Sequence, residues 1–298
     1  MLSSTLRRLL NKQPDQWIKS TSRLLVTNTR TSPARKFDVL AGGDSKPRVL
    51  KRPCEDAFFL ADAGDYYAIG VADGVGQWRS AGYDPTIFPT TLMDNCHQLM
   101  MTKGYSDPLS LLNDSYDKLI HDKQVEGGSA TVCLLILNKF EGTLKSLTLG
   151  DSSFYLVRDT QLLHTPNYQL YSRDAPYQLA IVPPSAPNTT ISSKISDATL
   201  STFELKENDH IIAATDGFID NLYDEELIEE LNDMHNINDA LGAARILCSR
   251  AYQLASRPDR IAPSHSRRTG GKIIDDLDIE YGGIIDDITV VVGMVTKT

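Results

Sequence analysis

The stretch Ser129-Ala-Thr-Val-Cys-Leu-Leu-Ile-Leu-Asn-Lys-Phe-Glu-Gly-Thr-Leu-Lys-Ser-Leu-Thr-Leu-Gly-Asp-Ser-Ser-Phe-Tyr-Leu-Val-Arg158 decides the fold class. It holds three β-rich runs, Ser129–Asn138, Thr143–Leu149 and Phe154–Arg158, separated by turn signals at Glu141-Gly142 and Asp151-Ser152. The same grouping continues outward. Upstream, Ala57–Ala61 and Tyr66–Ala72 read as two strands around a turn at Ala63–Asp65, followed by helical spacing in Pro89–Met101 and Pro108–Lys123. Downstream, Leu200–Leu205 and His210–Thr215 read as strands, Asp224–Met234 and Asn238–Ala255 as helices, and Asp287–Val295 as a closing strand. Arg35–Pro53, Pro166–Asn188 and the polar stretch Arg257–Ile285 read as irregular. Strands that arrive in groups, with paired helices between the groups, predict an α+β fold of antiparallel sheets with helices packed outside, not a doubly wound parallel sheet.

Length and composition narrow the class. The chain has 298 residues, 41% of them hydrophobic and 23% charged, which suits one large globular domain and excludes a collagen-like or disulfide-dense chain. No run of 18 apolar residues exists to form a membrane-spanning helix. The formal charge of −9 divides unevenly. Residues 1–36 hold eight basic groups (Arg7, Arg8, Lys12, Lys19, Arg23, Arg30, Arg35, Lys36) and one acid, Asp15, for +7; the other 262 residues hold 22 basic and 38 acidic groups, for −16. So acidic a body lacks the clustered cations that nucleic-acid binding requires. Cys54, Cys96, Cys133 and Cys248 show no metal-module spacing and are expected to stay reduced. Met1–Lys36 is rich in Ser, Thr and Arg, and Leu2, Leu6, Leu9 and Leu10 can share a helical face. That is the composition of a mitochondrial transit segment bound for the matrix. Read instead as a basic arm or a surface-binding amphipathic helix, it leaves the chain in the cytoplasm. The body is residues 37–298.

The chemistry sits at strand ends. Tyr67–Ala72 runs into Asp73-Gly74, Leu144–Leu149 into Gly150-Asp151, and Ile211–Thr215 into Asp216-Gly217; Asp286-Asp287 precedes Ile288–Val292, and Glu55-Asp56 opens Ala57–Leu60. A single Asp-Gly serves as a tight turn. It also suits a cation site, since glycine lets a backbone carbonyl approach an ion beside the Asp side chain. Five such sites, if they converge, require cations, and an all-oxygen donor set suits Mg²⁺ or Mn²⁺ rather than zinc.

These segments, in order, resemble the motifs of the metal-dependent (2C-type) Ser/Thr protein phosphatases: Glu55-Asp56, Val71-Ala72-Asp73-Gly74-Val75-Gly76, Leu149-Gly150-Asp151-Ser152, Ala213-Ala214-Thr215-Asp216-Gly217-Phe218 and Asp286-Asp287-Ile288-Thr289-Val290. Ala72–Arg79, Pro85 to Phe88 with Leu92-Met93, and Tyr177-Gln178-Leu179 are similar to that family's mitochondrial branch, the phosphatase T-C-seven homologues. The resemblance covers about residues 40–296. It implies a four-layer α/β/β/α sandwich, two packed antiparallel sheets flanked by helices. It also implies hydrolysis of phosphoserine and phosphothreonine in protein substrates by a water bridging two Mn²⁺ or Mg²⁺ ions. In the roles it implies, Asp73 bridges both ions and Asp216 and Asp286 complete the first site. The Gly74 carbonyl binds the second ion, Glu55 and Asp56 hold its waters, and Asp151 with Asp216 forms a weaker third site.

Two departures stand out. Some members carry His directly after Asp-Gly; here Val75 holds that place. Members often carry Arg four residues before the acidic Glu to grip phosphate; here Lys51 stands there and Arg52 follows, so either takes the role. The last acidic pair is ambiguous: Asp286 aligns as the ligand, while Asp287 stands where members frequently carry Asn, and either a ligand or a backbone-bonding role is open to it. Cys54 lacks the phosphate loop of a cysteine phosphatase. Gly270-Gly271-Lys272 fails as a nucleotide loop because Ile273 follows, and Asp276–Glu280 fails as a calcium loop because Tyr281 occupies the glycine position. Arg257, Arg260, Arg267, Arg268 and Lys272 form a basic cluster, either a soluble flap or a docking site for acidic partners. The rival to an active phosphatase is a catalytically weak or inactive binding protein of the same fold. The retained carboxylates favour the first, and Val75 and Lys51 keep the second open.

Overall fold

Fourteen strands and six α-helices, besides 3₁₀ turns at Gly76–Ala81 and Ile195–Asp197, account for the regular structure of the described residues, which are 35–172, 175–186, 190–234, 239–268 and 281–298 of a computed structural model. In chain order they are β1 (Phe37–Lys46), β2 (Asp56–Asp62), β3 (Tyr66–Asp73), α1 (Ile87–Lys103), α2 (Pro108–His121), β4 (Gly128–Ala130), β5 (Val132–Asn138), β6 (Thr143–Leu149), β7 (Ser153–Arg158), β8 (Gln161–His164), β9 (Leu170–Ser172), β10 (Ala175–Pro176), β11 (Leu179–Ile181), β12 (Thr199–Glu204), β13 (His210–Ala214), α3 (Asp216–Ile219), α4 (Asp224–Asp233), α5 (Ala240–Ala255), α6 (Pro263–Arg268) and β14 (Ile288–Lys297). The basic segment 1–36 lies outside the described residues except for Arg35 and Lys36, as do Arg267, Arg268 and Lys272 of the basic cluster as side chains, and both rejected loop motifs at 270–280.

Two five-stranded antiparallel sheets carry the fold, one ordered β1-β14-β13-β7-β8 and the other β12-β6-β5-β3-β2. The apolar runs are continuous because both faces of each sheet are covered. Ile69 and Val71 of β3, Cys133, Leu135 and Leu137 of β5, Phe154 and Leu156 of β7, and Val291 and Val295 of β14 meet between the sheets. Their alternates point outward. Ala68, Leu134 and Ile136 pack under Phe88, Leu92 and Leu111 of α1 and α2. Ile212, Val290 and Val292 pack under Ala244, Leu247 and Ala251 of α5. This is the expected four-layer sandwich. At the end of β2 remote from Asp56, the fully buried Lys139 pairs with Asp38 of one sheet (2.9 Å) and Asp62 of the other (2.8 Å).

Some elements differ from expectation. The entry segment is a ten-residue strand, β1, not an irregular lead-in. Its glycines hid it, since glycine is depleted in strands. A Cβ on Gly42 would lie 2.5 Å from the Leu241 backbone and one on Gly43 2.5 Å from the Phe58 ring, so close packing demands them. Ser129–Asn138 is two strands. At Thr131 the chain changes partner, because Thr131 N donates to Asp73 O (3.0 Å) and the preceding β4 pairs with β11. β8 follows a turn through Asp159 and Thr160, both at positive φ (46° and 66°) without a glycine to signal it. Short strands β9–β11 occupy the stretch read as irregular, and α6 lies within the long polar loop.

Candidate metal centre

The acidic residues arrive from both sheets at one end of the sandwich. In the second sheet Asp56, first residue of β2, lies opposite Asp73, last residue of β3. In the first, Asp216 follows β13 and opens α3, while Asp286-Asp287 leads into β14, the neighbour of β13. Three threonine-centred contacts lock these ends together. Thr215 Oγ1 donates to Asp56 Oδ2 (2.8 Å) and accepts from Thr289 N (3.0 Å), while Thr215 N donates to Thr289 O (3.1 Å). On the other side, Thr131 Oγ1 accepts from Asp73 N (3.3 Å) and shares a hydrogen bond with Ser152 Oγ (2.6 Å), which brings the Gly150-Asp151-Ser152 turn against the end of β3. Oxygens of Asp73, Asp151 and Asp216 thereby come within 4.8 Å of one another.

Gly74 stands where two backbones crowd the site. A Cβ there would lie 2.5 Å from both Glu55 O and Pro85 O. Gly74 N donates to Glu55 O (3.1 Å), so the turn is strapped to the start of β2. The Asp-Gly here is more than a turn signal, because no larger residue fits.

Electrostatics follow from the crowding. Burial, then the charges of Asp216, Asp56, Asp286 and Asp151, holds the Asp73 carboxyl well above the usual carboxylate range. Asp216 is raised likewise by burial and then by Asp151 and Asp286. Burial pushes Asp56 up to about 7, and Asp286 is raised by burial as well. Asp56 Oδ1 is buried without a hydrogen-bond partner. Carboxylates so placed resist ionisation unless cations join them. Cys54 is no nucleophile, since burial and the charges of Asp56 and Asp287 hold its thiol far above neutral pH.

The remaining residues divide clearly. Asp287 spends both oxygens on backbone, accepting from Arg48 N and Glu55 N (2.6 Å each), whereas Asp286 accepts from its neighbour's N–H and from the Arg48 guanidinium (3.3 Å). Lys51 and Arg52 lie exposed in the turn between β1 and β2. The guanidinium beside the acidic cluster belongs to Arg48, whose Nη2 lies 3.0 Å from Glu55 Oε2. Arg79, on the turn Gly76–Ala81, reaches the other Glu55 oxygen at 2.6 Å. Sequence reasoning missed Arg48 and Thr131, and it quoted Thr215 and Arg79 within motifs without giving either a role. Arg48 lies seven residues from Glu55, outside any local spacing rule, and only the loop's return brings it in. Arg79 closes the Ala72–Arg79 string that resembles the mitochondrial branch, a signal that marked the residue without giving it a role.

Comparison with known proteins agrees with this arrangement. A profile of the Stage II sporulation protein E (SpoIIE) family matches residues 63–292. The protein phosphatase PTC7 homologue of Xenopus laevis is 33% identical over 264 residues, covering 86% of this chain and 87% of its own. The PTC7 homologue fig of Drosophila grimshawi is 34% identical over 262 residues, covering 85% and 84%. Among solved structures, the photosystem II phosphatase PBCP superposes with a TM-score of 0.74 at 27% identity, covering 86% of this chain and 98% of its own. The catalytic domain of the serine/threonine phosphatase PstP in complex with two manganese ions shares the fold, with a TM-score of 0.54 at 16% identity over 87% and 99% of the two chains. With the acidic strand ends gathered as described and a third of the residues shared over most of the length, the chain belongs to the PP2C-type protein phosphatases, in the branch of the PTC7 homologues.

Proposed function

We propose that the protein hydrolyses phosphoserine and phosphothreonine in protein substrates with the help of bound Mn²⁺ or Mg²⁺. The observation that carries this is the convergence of Asp73, Asp151 and Asp216 beside Glu55, Asp56 and Asp286. The site fits divalent cations. Every donor is oxygen, Asp56 Oδ1 is a buried oxygen with no partner, and burial and mutual repulsion raise the Asp73 and Asp216 carboxyls above the usual carboxylate range. Asp73 would be shared between two ions, with Asp216 and Asp286 on the first and the Gly74 carbonyl on the second, Glu55 and Asp56 acting through water. Asp151 with Asp216 would hold a weaker third. Such ions supply a water acidic enough to attack at neutral pH and neutralise phosphoryl charge.

The chain's own residues do the rest. Arg48 and Arg79 converge on Glu55 from two sides with their side chains still 35% and 44% exposed, so each keeps donors free to face an incoming phosphate. A guanidinium binds phosphate through two parallel N–H groups, which a lysine cannot do. Arg48 thus takes the role that spacing offered to Lys51 or Arg52, which removes one ground for the inactive rival. The Val75 side chain has no ionisable proton to give, so the proton for the leaving oxygen comes from water. The relatives' names as protein phosphatases support the substrate class. No helix among the described residues is long and apolar enough to cross a membrane. The transit composition of Met1–Lys36 supports delivery to the mitochondrial matrix, which a fusion of residues 1–36 to a fluorescent protein would test by import.

The function is tested with an aryl phosphate and a phosphothreonine peptide. Turnover that requires Mn²⁺ and is lost in Asp73→Ala and Asp216→Ala is the expected result. Folded wild-type protein that binds Mn²⁺ but turns over neither substrate would establish the binding-protein reading instead.

A further inference from the structure

Two ligand-bearing turns, Asp216-Gly217 and the approach to Asp286, meet across a single buried amide. Asn221 follows α3 and is fully buried. Its Nδ2 donates to Gly217 O (2.8 Å) and to Ile284 O (2.7 Å), and its Oδ1 accepts from Ile284 N (2.8 Å). Both donors of the side chain and its acceptor are used. The bond to Gly217 alone would be an ordinary helix-end contact, four residues back. The pair of bonds to Ile284 is different, because it crosses 63 positions in sequence to hold the residue two before Asp286.

On one side that segment is tied to the loop after α5, where Gly282 N donates to Arg260 O (2.6 Å) and Gly283 N to Arg257 O (2.9 Å); on the other, Asn221 ties it to the Asp216 turn. Tyr281 and Ile285 are 67% and 64% exposed, so burial of apolar side chains does not anchor it. The two turns also approach closely: a Cβ on Gly217 would lie 2.0 Å from Asp287 O. Beyond the β13–β14 pairing, the one side-chain bridge among the described residues that links the Asp216 turn directly to the approach to Asp286 is therefore Asn221.

We infer that Asn221 is a positioning residue that sets the separation of Asp216 and Asp286, and thereby the affinity of the first cation site. The inference rests on the metal-dependent reading above. Asn221 touches neither substrate nor cation; it acts through the backbone on either side of two ligands. Outer residues that orient metal ligands change affinity by about ten- to a hundredfold when removed.

The test is Asn221→Leu, similar in size and unable to make any of the three bonds. Mn²⁺ affinity is measured by titration calorimetry, turnover as a function of Mn²⁺ concentration, and melting temperature in EDTA. The expected result is a dissociation constant about tenfold or more weaker, with the Mn²⁺ concentration for half activation raised by a larger factor than turnover at saturation is lowered. A variant that melts lower in EDTA but binds Mn²⁺ as the wild type does would overturn the inference, showing a role in stability alone. Should Asn221→Leu fail to fold, Asn221→Ser, which admits water in place of the amide, decides by the same measurements. Wild-type protein without Mn²⁺-dependent turnover would overturn the phosphatase reading. An active wild type beside an Asn221 variant of unchanged Mn²⁺ affinity overturns only the positioning role of Asn221.

Discussion

Glu55 is held between two guanidiniums, and that arrangement distinguishes three basic residues lying close together in sequence. Arg48 contacts Glu55 and Asp286, while Lys51 and Arg52 face solvent. Replacing Arg48 with Ala is expected to raise KM for a phosphopeptide by about tenfold, the cost of a lost charge-assisted bond to phosphate. Lys51→Ala is expected to leave it within about twofold at moderate salt, since an exposed charge contributes little. Steady-state kinetics on both variants check the assignment, and the reverse ranking would return the role to the turn. At this scale much was legible. An Asp or Glu at the end of an apolar strand has to meet water, a cation or another charge, and the candidate ligands stood out for that reason. Asp287 was legible only as an ambiguity; in the structure both its oxygens accept backbone N–H groups at 2.6 Å.

At the scale of elements, β1 shows how tertiary contact overrides local preference. Gly42 and Gly43 weaken a strand in isolation, yet ten residues of β1 pair in unbroken register with β14. Gly42→Ala would push a methyl into the α5 backbone at Leu241 and is expected to destabilise the protein by about 1–3 kcal/mol. Thermal unfolding of the metal-bound protein measures this, and an unchanged melting temperature would show that α5 can shift freely. The main strands and the long helices were legible to within a few residues, the strands because their apolar runs are unbroken and the helices because one face of each packs on a sheet. β4, β8 and β11 were not, since short strands carry too few residues for a period to register.

For the molecule as a whole, one end of the sandwich concentrates charge that the fold alone does not neutralise. Asp73, Asp216, Asp56 and Asp286 all have carboxyls raised above their unfolded values, Asp56 to about 7. A carboxyl raised on folding stabilises the native state while protonated, and that contribution is lost as pH rises from the unfolded value through the folded one. In EDTA the melting temperature is therefore expected to fall as pH rises from about 4 through about 7. Saturating Mn²⁺ is expected to remove the fall, because ion binding takes over the charge and gains strength as protons leave. Differential scanning calorimetry with and without Mn²⁺ measures both curves. Parallel curves would mean that the carboxylates do not share a cation site.

The amino-acid order by itself determined that antiparallel sheets carry helices outside them, and which acids are available for chemistry. Strand grouping and apolar period are local properties, and a carboxylate next to a buried strand announces its exposure to a cleft. Only the tertiary structure decided which cations meet those acids and how far apart they stand. Arg48, Arg79, Thr215 and Asn221 act across 7, 24, 159 and 63 positions of chain. No local pattern encodes such distances, because they arise from two sheets packing face to face and from turns that hydrogen bonds hold at that end.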